Sequence, residues 1–110
     1  GELQDLERRF GDGAYEEVER RATQLEPSYP DHAELPLMAG RALLAQGRMR
    51  AAAEAFQRAV GLDPLSRNAH YHLGAAAARI GELNRAERAW RTFVRLAPDE
   101  AETQRIRQAV

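Results

Sequence analysis

The sequence contains no cysteine and no lysine, so all 16 of its basic residues are arginine. The absence of cysteine excludes disulfide bridges, thiolate nucleophiles and cysteine-bound metals. No apolar run approaches the roughly 18 residues that a membrane-spanning helix requires, so we expect no direct membrane insertion. Charged residues make up 30% of the chain, but the net charge is only -1. The composition therefore lacks the basic excess of a nucleic-acid-binding protein and the one-signed charge of a disordered tail.

Groups suited to catalysis or metal binding are also scarce. His70 and His72 are two residues apart and point in different directions on a helix, whereas a helical metal-binding pair prefers i and i+4. His32 falls in a predicted turn, and the two serines, Ser28 and Ser66, lie in turn-like settings. The glycines are not gathered into a phosphate-binding loop. We therefore expect no catalytic residue, no metal site and no cofactor.

What the sequence does contain is a repeat with a 34-residue period. A shift by this period superimposes small, aromatic and proline residues: Gly40 on Gly74, Gly47 on Gly81 and Gly13, Ala52 on Ala86, Phe56 on Trp90, Leu62 on Leu96, and Pro64 on Pro98 and Pro30. A fixed period of roughly 20 to 50 residues is typical of architectures built from stacked repeats.

The period and these residues resemble the tetratricopeptide repeat, whose pattern is Trp-x-x-Leu-Gly-x-x-Tyr, then Ala-x-x-x-Phe, then Pro. The central copy matches it with Ala39, Gly40, Leu43, Ala52, Phe56, Ala59 and Pro64, and the next with Leu73, Gly74, Ala77, Ala86, Trp90 and Pro98. The first copy keeps mainly the second half of the pattern. The resemblance implies one all-α domain over residues 1–110. Its architecture would be a right-handed superhelical stack of about three helix-turn-helix repeats (1–32, 33–66 and 67–98) and a C-terminal capping helix (99–110).

Apolar periodicity and breaker residues predict where the helices begin and end. The predicted helices run from about Leu3 to Phe10, Tyr15 to Leu25, Glu34 or Leu35 to Ala45, Met49 to Leu62, Arg67 to Ile80, Leu83 to Leu96, and Asp99 to Val110. Ser66 is a predicted N-cap. Asp31 with Glu34, and Asp99 with Glu102, have the spacing of a capping box.

Two glycines, Gly40 and Gly74, fall inside predicted helices, where glycine costs roughly 1 kcal/mol against alanine. We expect the missing side chain to let a neighbouring helix approach. The expected facing surfaces are Ala52 and Ala86, with Phe56 and Trp90 filling the wider gaps between repeats.

In the tetratricopeptide family, the first helix of each pair lines a concave groove where ligands usually lie. The resemblance places twelve residues on that groove: Leu3, Glu7, Glu34, Leu37, Met38, Arg41, Leu44, Asn68, Tyr71, His72, Ala75 and Arg79. From these we expect partner contacts by Leu37, Met38, Arg41, Asn68, Tyr71, His72 and Arg79. Apolar anchoring would come from Leu37, Met38 and Tyr71, while Arg41, Asn68 and Arg79 set register and charge preference.

One subtype of the family holds the C-terminal carboxylate of a chaperone tail with lysine, asparagine and arginine. This sequence has no lysine, and Asn68 is the one asparagine in the groove set. We therefore expect the partner to contribute an internal peptide segment or a helix.

The function that these features favour is a non-enzymatic scaffold for a protein or peptide. An alternative is a homo-oligomerisation module that joins through the ends of the stack. Residues 1–32 carry nine acids and four arginines, a net charge of -5, whereas residues 33–110 carry eight acids and twelve arginines, a net charge of +4. A third interpretation is a regulatory or targeting segment of a larger enzyme or assembly complex. The chain starts at Gly1 rather than Met, so we expect it to be a piece of something longer. The compartment is undetermined, with the cytoplasm favoured over the periplasm.

Overall fold

The computed structural model describes residues 1–96 and 100–109, and this part of the chain is helical with no strand. The α-helices are α1 (Glu2–Gly11), α2 (Tyr15–Leu25), α3 (Glu34–Ala45), α4 (Met49–Leu62), α5 (Arg67–Arg79), α6 (Leu83–Leu96) and α7 (Glu100–Ala109), with a short 3₁₀ turn, Glu26–Ser28, after α2. The predicted all-α fold is confirmed, and the predicted bounds of α2, α4 and α6 match the structure. None of the described helices combines the length and apolar character needed to cross a membrane.

The start of α3 differs from the predicted capping box. The N-cap is Ala33, which has no side chain that can accept a hydrogen bond, and Asp31 lies before the helix. Pro36 stands in the first turn, where its missing N–H breaks no bond within the helix. The helix begins at Glu34, as predicted, and because its N-cap is Ala33 the spacing of Asp31 and Glu34 does not form a capping box. The predicted second box falls on Asp99, which lies outside the described residues.

The predicted cap of α5 is confirmed. The Ser66 hydroxyl oxygen accepts a hydrogen bond from the backbone N–H of Ala69 at 3.2 Å. This bond satisfies one of the backbone donors that a helix start leaves without a partner.

Each hairpin turn between an odd-numbered helix and the next even-numbered helix is built in the same way. The turn residue is Gly13, Gly47 or Gly81, with φ of 82°, 77° and 81°, a conformation that glycine adopts without steric cost. The residue after each glycine donates its N–H back to a carbonyl in the last turn of the helix: Ala14 to Arg9 at 3.0 Å, Arg48 to Leu43 at 3.0 Å, and Glu82 to Ala77 at 2.9 Å. The recurrence of this Schellman turn in all three hairpins explains why these glycines follow the period of the repeat.

Helices α1 to α6 form three hairpins in which each helix packs against the next along the chain. The odd-numbered helices also contact one another, α1 with α3 and α3 with α5, and so form one layer of the stack. The core between the layers is rich in fully buried small residues, including Ala39, Ala42, Ala52, Ala53 and Ala55. Small side chains let helix backbones approach closely, so this core sets the narrow spacing of the hairpins.

The glycines inside α3 and α5 each receive an aromatic ring from the following helix. A Cβ atom at Gly40 would lie 2.5 Å from Cε1 of Phe56, and one at Gly74 would overlap the five-membered ring of Trp90. The nearest atoms at both glycines thus belong to the aromatic rings that were expected in the gaps between repeats, while the expectation that Ala52 and Ala86 face the glycines stays a prediction. The aromatic side chains lie one helical turn further along α4 and α6, and they reach back over the glycine.

Candidate functional site

The candidate site is a surface formed by side chains of α1, α3 and α5. We call it the odd-helix face and define it by seven residues: Glu7, Phe10, Leu37, Arg41, Leu44, Tyr71 and His72. Its register follows the repeat, because Arg41 and Glu7 are 34 positions apart and yet form an ion pair at 3.3 Å. Equivalent positions of successive repeats therefore lie side by side.

Arg41 lies at the centre of this face, and its side chain is 31% exposed. Its Nη1 atom donates to Oε1 of Glu7 at 3.3 Å. The guanidinium carbon lies 4.5 Å from the centroid of the Phe10 ring, within the range of a cation–π contact. Contacts with α1 therefore hold the Arg41 side chain across the boundary between the first two hairpins.

The imidazole of His72 is half-buried and stacks on the Phe56 ring, with 5.2 Å between centroids and 17° between planes. Burial lowers the pKa of His72 below its ordinary value of 6.5, and the positive charge of Arg41 lowers it further. The ring is therefore neutral at neutral pH. Phe56 belongs to the core, so His72 joins the odd-helix face directly to the packing inside the second hairpin.

Apolar groups surround these two side chains. Leu37 and Leu44 are half-buried against the core. Tyr71 is 43% exposed, and its ring contacts that of Phe93 with 5.3 Å between centroids. Beyond Tyr71 lies a cavity of about 180 Å³, lined by Tyr71, Ala75, Trp90, Arg105 and Ala109. The face thus offers both aliphatic and aromatic surface beside the Arg41 cation.

The structure places the predicted site residues in three groups. Leu37, Arg41, Tyr71 and His72 come together on the odd-helix face. Asn68 and Arg79 are exposed at opposite ends of α5, about 16 Å apart along the helix at about 1.5 Å per residue. Met38 is only 3% exposed and belongs to the core, which corrects the expectation that it offers contact surface.

Phe10 is the member of the face that sequence reasoning missed. The sequence pattern shows it only as part of the apolar stripe of the first helix. Its position, one full repeat before Leu44, was the available signal, because Leu44 belongs to the predicted groove set.

From the sequence we expect no catalytic residue, no metal site and no cofactor, and this stays an expectation. Among them, no group of three or more histidine, cysteine, aspartate or glutamate side chains is placed to hold a metal ion. His70 is 7% exposed, and its Nε2 atom lies 2.8 Å from the carbonyl oxygen of Pro64. Because a carbonyl only accepts, this nitrogen donates, and His70 has a structural role in the α4–α5 connection.

Comparisons with known proteins identify the architecture. The sequence matches the family model of the tetratricopeptide repeat over residues 37–101. None of the curated proteins compared with the chain matches it.

Solved structures of the same fold include three proteins of different kinds. The first TPR of Spaghetti (RPAP3), bound to the HSP90 peptide SRMEEVD, has a TM-score of 0.85 and 23% identity, and the match covers 96% of this chain and 87% of that one. The type III secretion translocator chaperone SycD of Yersinia enterocolitica has a TM-score of 0.86 and 17% identity, covering 97% and 77%. MamA has a TM-score of 0.84 and 22% identity, covering 92% of this chain and 59% of its own.

These TM-scores show a shared fold, and the family model covers more than half of the chain. Together with the period of the repeat and the recurring glycine turns, they establish that the chain belongs to the tetratricopeptide repeat family.

Proposed function

We propose that this chain is a non-enzymatic interaction module that binds a segment of a partner protein across the odd-helix face. The observation that carries the proposal is the position of Arg41. It is a partly exposed cation, held by Glu7 and Phe10, and it lies one helical turn from the half-buried Leu37 on α3. Arginine and tyrosine are enriched among residues that dominate binding energy at interfaces.

The class of ligand in this proposal is supported by what proteins of the same fold bind. The Spaghetti domain was solved with the HSP90 peptide SRMEEVD, and the second TPR domain of human RPAP3 was solved with the HSP70 peptide SGPTIEEVD. SycD is described as a translocator chaperone. These proteins support a short protein segment as the ligand class, although their identity to this chain is low.

The face itself favours an internal segment or a helix over a chain terminus. The chain has no lysine, and Asn68 and Arg79 lie about 16 Å apart at the ends of α5, so they do not converge on one carboxylate. A segment that runs along α5 would contact both ends and place an apolar side chain between Leu37 and Tyr71.

A pull-down with the folded chain as bait tests the proposal. Arg41→Glu reverses the central charge, and Tyr71→Ala removes the exposed ring. Matched controls are Arg88→Glu, an exposed arginine on α6, and Tyr29→Ala, whose side chain has the same exposed fraction of 43%. We expect both face variants to lose the same prey and both controls to retain it. Retention by both face variants, with unchanged circular dichroism, would contradict the proposal.

The second candidate function is self-association through the ends of the stack. Residues 1–32 carry a net charge of -5 and residues 33–110 carry +4, so the front of one copy and the back of another are complementary. A head-to-tail contact of this kind gives a ring or a filament. Exposed charges are screened over about 8 Å at physiological salt, so the association should weaken as salt rises. Sedimentation velocity that finds a monomer at both low and high salt excludes it.

A further inference from the structure

We propose that Glu7 is a built-in competitor for an acidic residue of the partner, and that an aspartate or glutamate side chain displaces it from Arg41 on binding. This inference rests on the proposed function, because it names the chemistry of the segment that the odd-helix face receives. The displaced and the incoming groups are both carboxylates, so the exchange leaves Arg41 paired before and after binding.

The geometry of the Glu7–Arg41 contact allows another carboxylate to replace Glu7. The two side chains share one hydrogen bond of 3.3 Å, beyond the usual range of roughly 2.7–2.9 Å for a strong charge-assisted bond. The Glu7 side chain is 56% exposed, so it can swing into solvent without leaving a buried charge. A partner carboxylate therefore meets little resistance at this position.

A second ion pair between neighbouring hairpins shows the contrast. Arg58 holds Glu26 through two hydrogen bonds, from Nε at 3.2 Å and from Nη2 at 3.1 Å. The Glu26 side chain is only 20% exposed. The Arg58–Glu26 pair is thus bidentate and its carboxylate is largely buried, whereas the Glu7–Arg41 pair has a single hydrogen bond and an exposed carboxylate.

Arg41 keeps donor capacity for a better partner. The guanidinium group has five N–H donors in a planar fork, and in the described part of the chain its hydrogen bonds to Glu7 and to the Met38 sulfur both use Nη1. A partner carboxylate that takes the place of Glu7 at Nη1 can engage Nη2 as well, and so form the bidentate contact that arginine favours and that Glu7 does not make.

The arginine also stays in place when Glu7 leaves. Its guanidinium carbon lies 4.5 Å from the Phe10 ring centroid, and a cation–π contact of this kind does not depend on the carboxylate. The half-buried side chains of Leu37 and Leu44 lie on the same face. A partner residue seated beside them would exclude water, and a lower local dielectric strengthens an ion pair.

Removing the competitor should therefore tighten binding. An exposed ion pair is worth roughly 0.2–1 kcal/mol, so its loss in Glu7→Gln lowers the Kd for an acidic segment by up to about fivefold. Arg41→Gln should raise the Kd for the same segment. In the double variant, Glu7→Gln should no longer lower the Kd, because there is no cation for which Glu7 and the partner carboxylate compete.

The test starts from a library of random dodecapeptides displayed on phage and selected on the folded chain. The peptide with the strongest enrichment is synthesised with a fluorescein label, both as selected and with its acidic residues changed to the corresponding amides. Fluorescence anisotropy then gives the Kd for the parent, Glu7→Gln, Arg41→Gln, the double variant and Tyr71→Ala. Glu16→Gln is the matched control, because it removes one exposed acidic charge from α2 and leaves the odd-helix face unchanged.

We expect the selected peptides to be enriched in aspartate or glutamate, and Glu7→Gln to tighten binding where Glu16→Gln does not. The amide peptide should bind more weakly and should not respond to Glu7→Gln. Peptides that bind through Tyr71, yet show no acidic preference and no response to Glu7→Gln, would overturn this inference and leave the proposed function standing. If neither Arg41→Gln nor Tyr71→Ala changes the Kd, or if the library yields no binding peptide, the inference and the proposed function are both overturned.

Discussion

The change Gly40→Ala tests whether the contact between Gly40 and Phe56 determines how closely the second hairpin packs. The added Cβ atom would lie 2.5 Å from Cε1 of Phe56, whereas non-bonded carbon atoms prefer roughly 3.5–4.0 Å. The ring would have to retreat by about 1 Å. Phe56 is 0% exposed, and one of its faces is already covered by the stacked ring of His72. The retreat would therefore disturb the core.

Two opposing effects determine the size of the change. Alanine in place of glycine inside a helix gains about 1 kcal/mol, while overpacking a core costs about 1–3 kcal/mol. We expect Gly40→Ala to lower the free energy of unfolding by about 0–2 kcal/mol. Gly40→Leu adds three more carbon atoms in the same space, so it should cost about 3 kcal/mol or more.

Urea denaturation followed by circular dichroism measures these differences. Gly61→Ala is the matched control, because Gly61 lies in the exposed last turn of α4 and a Cβ there meets nothing within 4 Å. It should be neutral or stabilising by up to about 1 kcal/mol. Phe56→Leu, which shrinks the side chain, should cost less in the Gly40→Ala background than alone. If Gly40→Ala is as stabilising as Gly61→Ala, the close contact with Phe56 does not limit the packing.

Three further predictions concern the pH dependence of stability and single polar contacts. Because burial and then the charge of Arg41 lower the pKa of His72 from 6.5, its stabilising effect is complete above that pH and is lost as pH falls below it. His72→Gln should flatten the loss of stability as the pH is lowered from neutral to mildly acidic in urea titrations, and an unchanged slope would contradict this role of the half-buried imidazole. Ser66→Ala should lower the free energy of unfolding by about 1 kcal/mol because it removes an N-cap, and Ser66→Asp should restore most of this; equal thermal melts for all three forms would refute the role. Arg58→Ala should cost less than about 1 kcal/mol, and the difference should shrink in high salt; a loss several times larger would mean that the pair is structural in a way its exposure does not indicate.

The helices were predictable from the sequence because their ends carry strong local signals. Gly13, Gly47 and Gly81 adopt positive φ, a conformation that few other residues tolerate, so their spacing marks the turns directly. Ser66 likewise marks a helix start by its residue type and its place ahead of an apolar periodic segment. Such signals depend on a few neighbouring residues and need no knowledge of the tertiary packing.

The side-chain contacts were harder to predict, since they depend on how one helix lies against another. The repeat aligns Gly40 with Gly74, but it does not say whether Ala52 or Phe56 reaches the glycine. Met38 shows the same limit for the site. It lies beside Leu37 on α3, and a small rotation of that helix decides whether its side chain enters the core or faces outward.

The sequence pattern indicated Arg41, at the centre of the candidate site, but Phe10 at its edge was missed. The repeat register predicted that Arg41 lies on the groove, which stays a prediction, and the structure adds the contacts of Arg41 with Glu7 and Phe10. Phe10 was missed because the first repeat departs from the family pattern, and its equivalence with Leu44, one repeat later, was therefore not used.

The stacking of His72 on Phe56 has a consequence for how binding specificity can diversify in this protein. The floor of the odd-helix face is a core ring, so substitutions there would change ligand preference and folding together. Asn68 and Arg79 are instead exposed at the ends of α5, so substitutions there should disturb folding less. A library randomised at these two positions should yield many folded variants with new specificities, whereas one randomised at Phe56 should yield few.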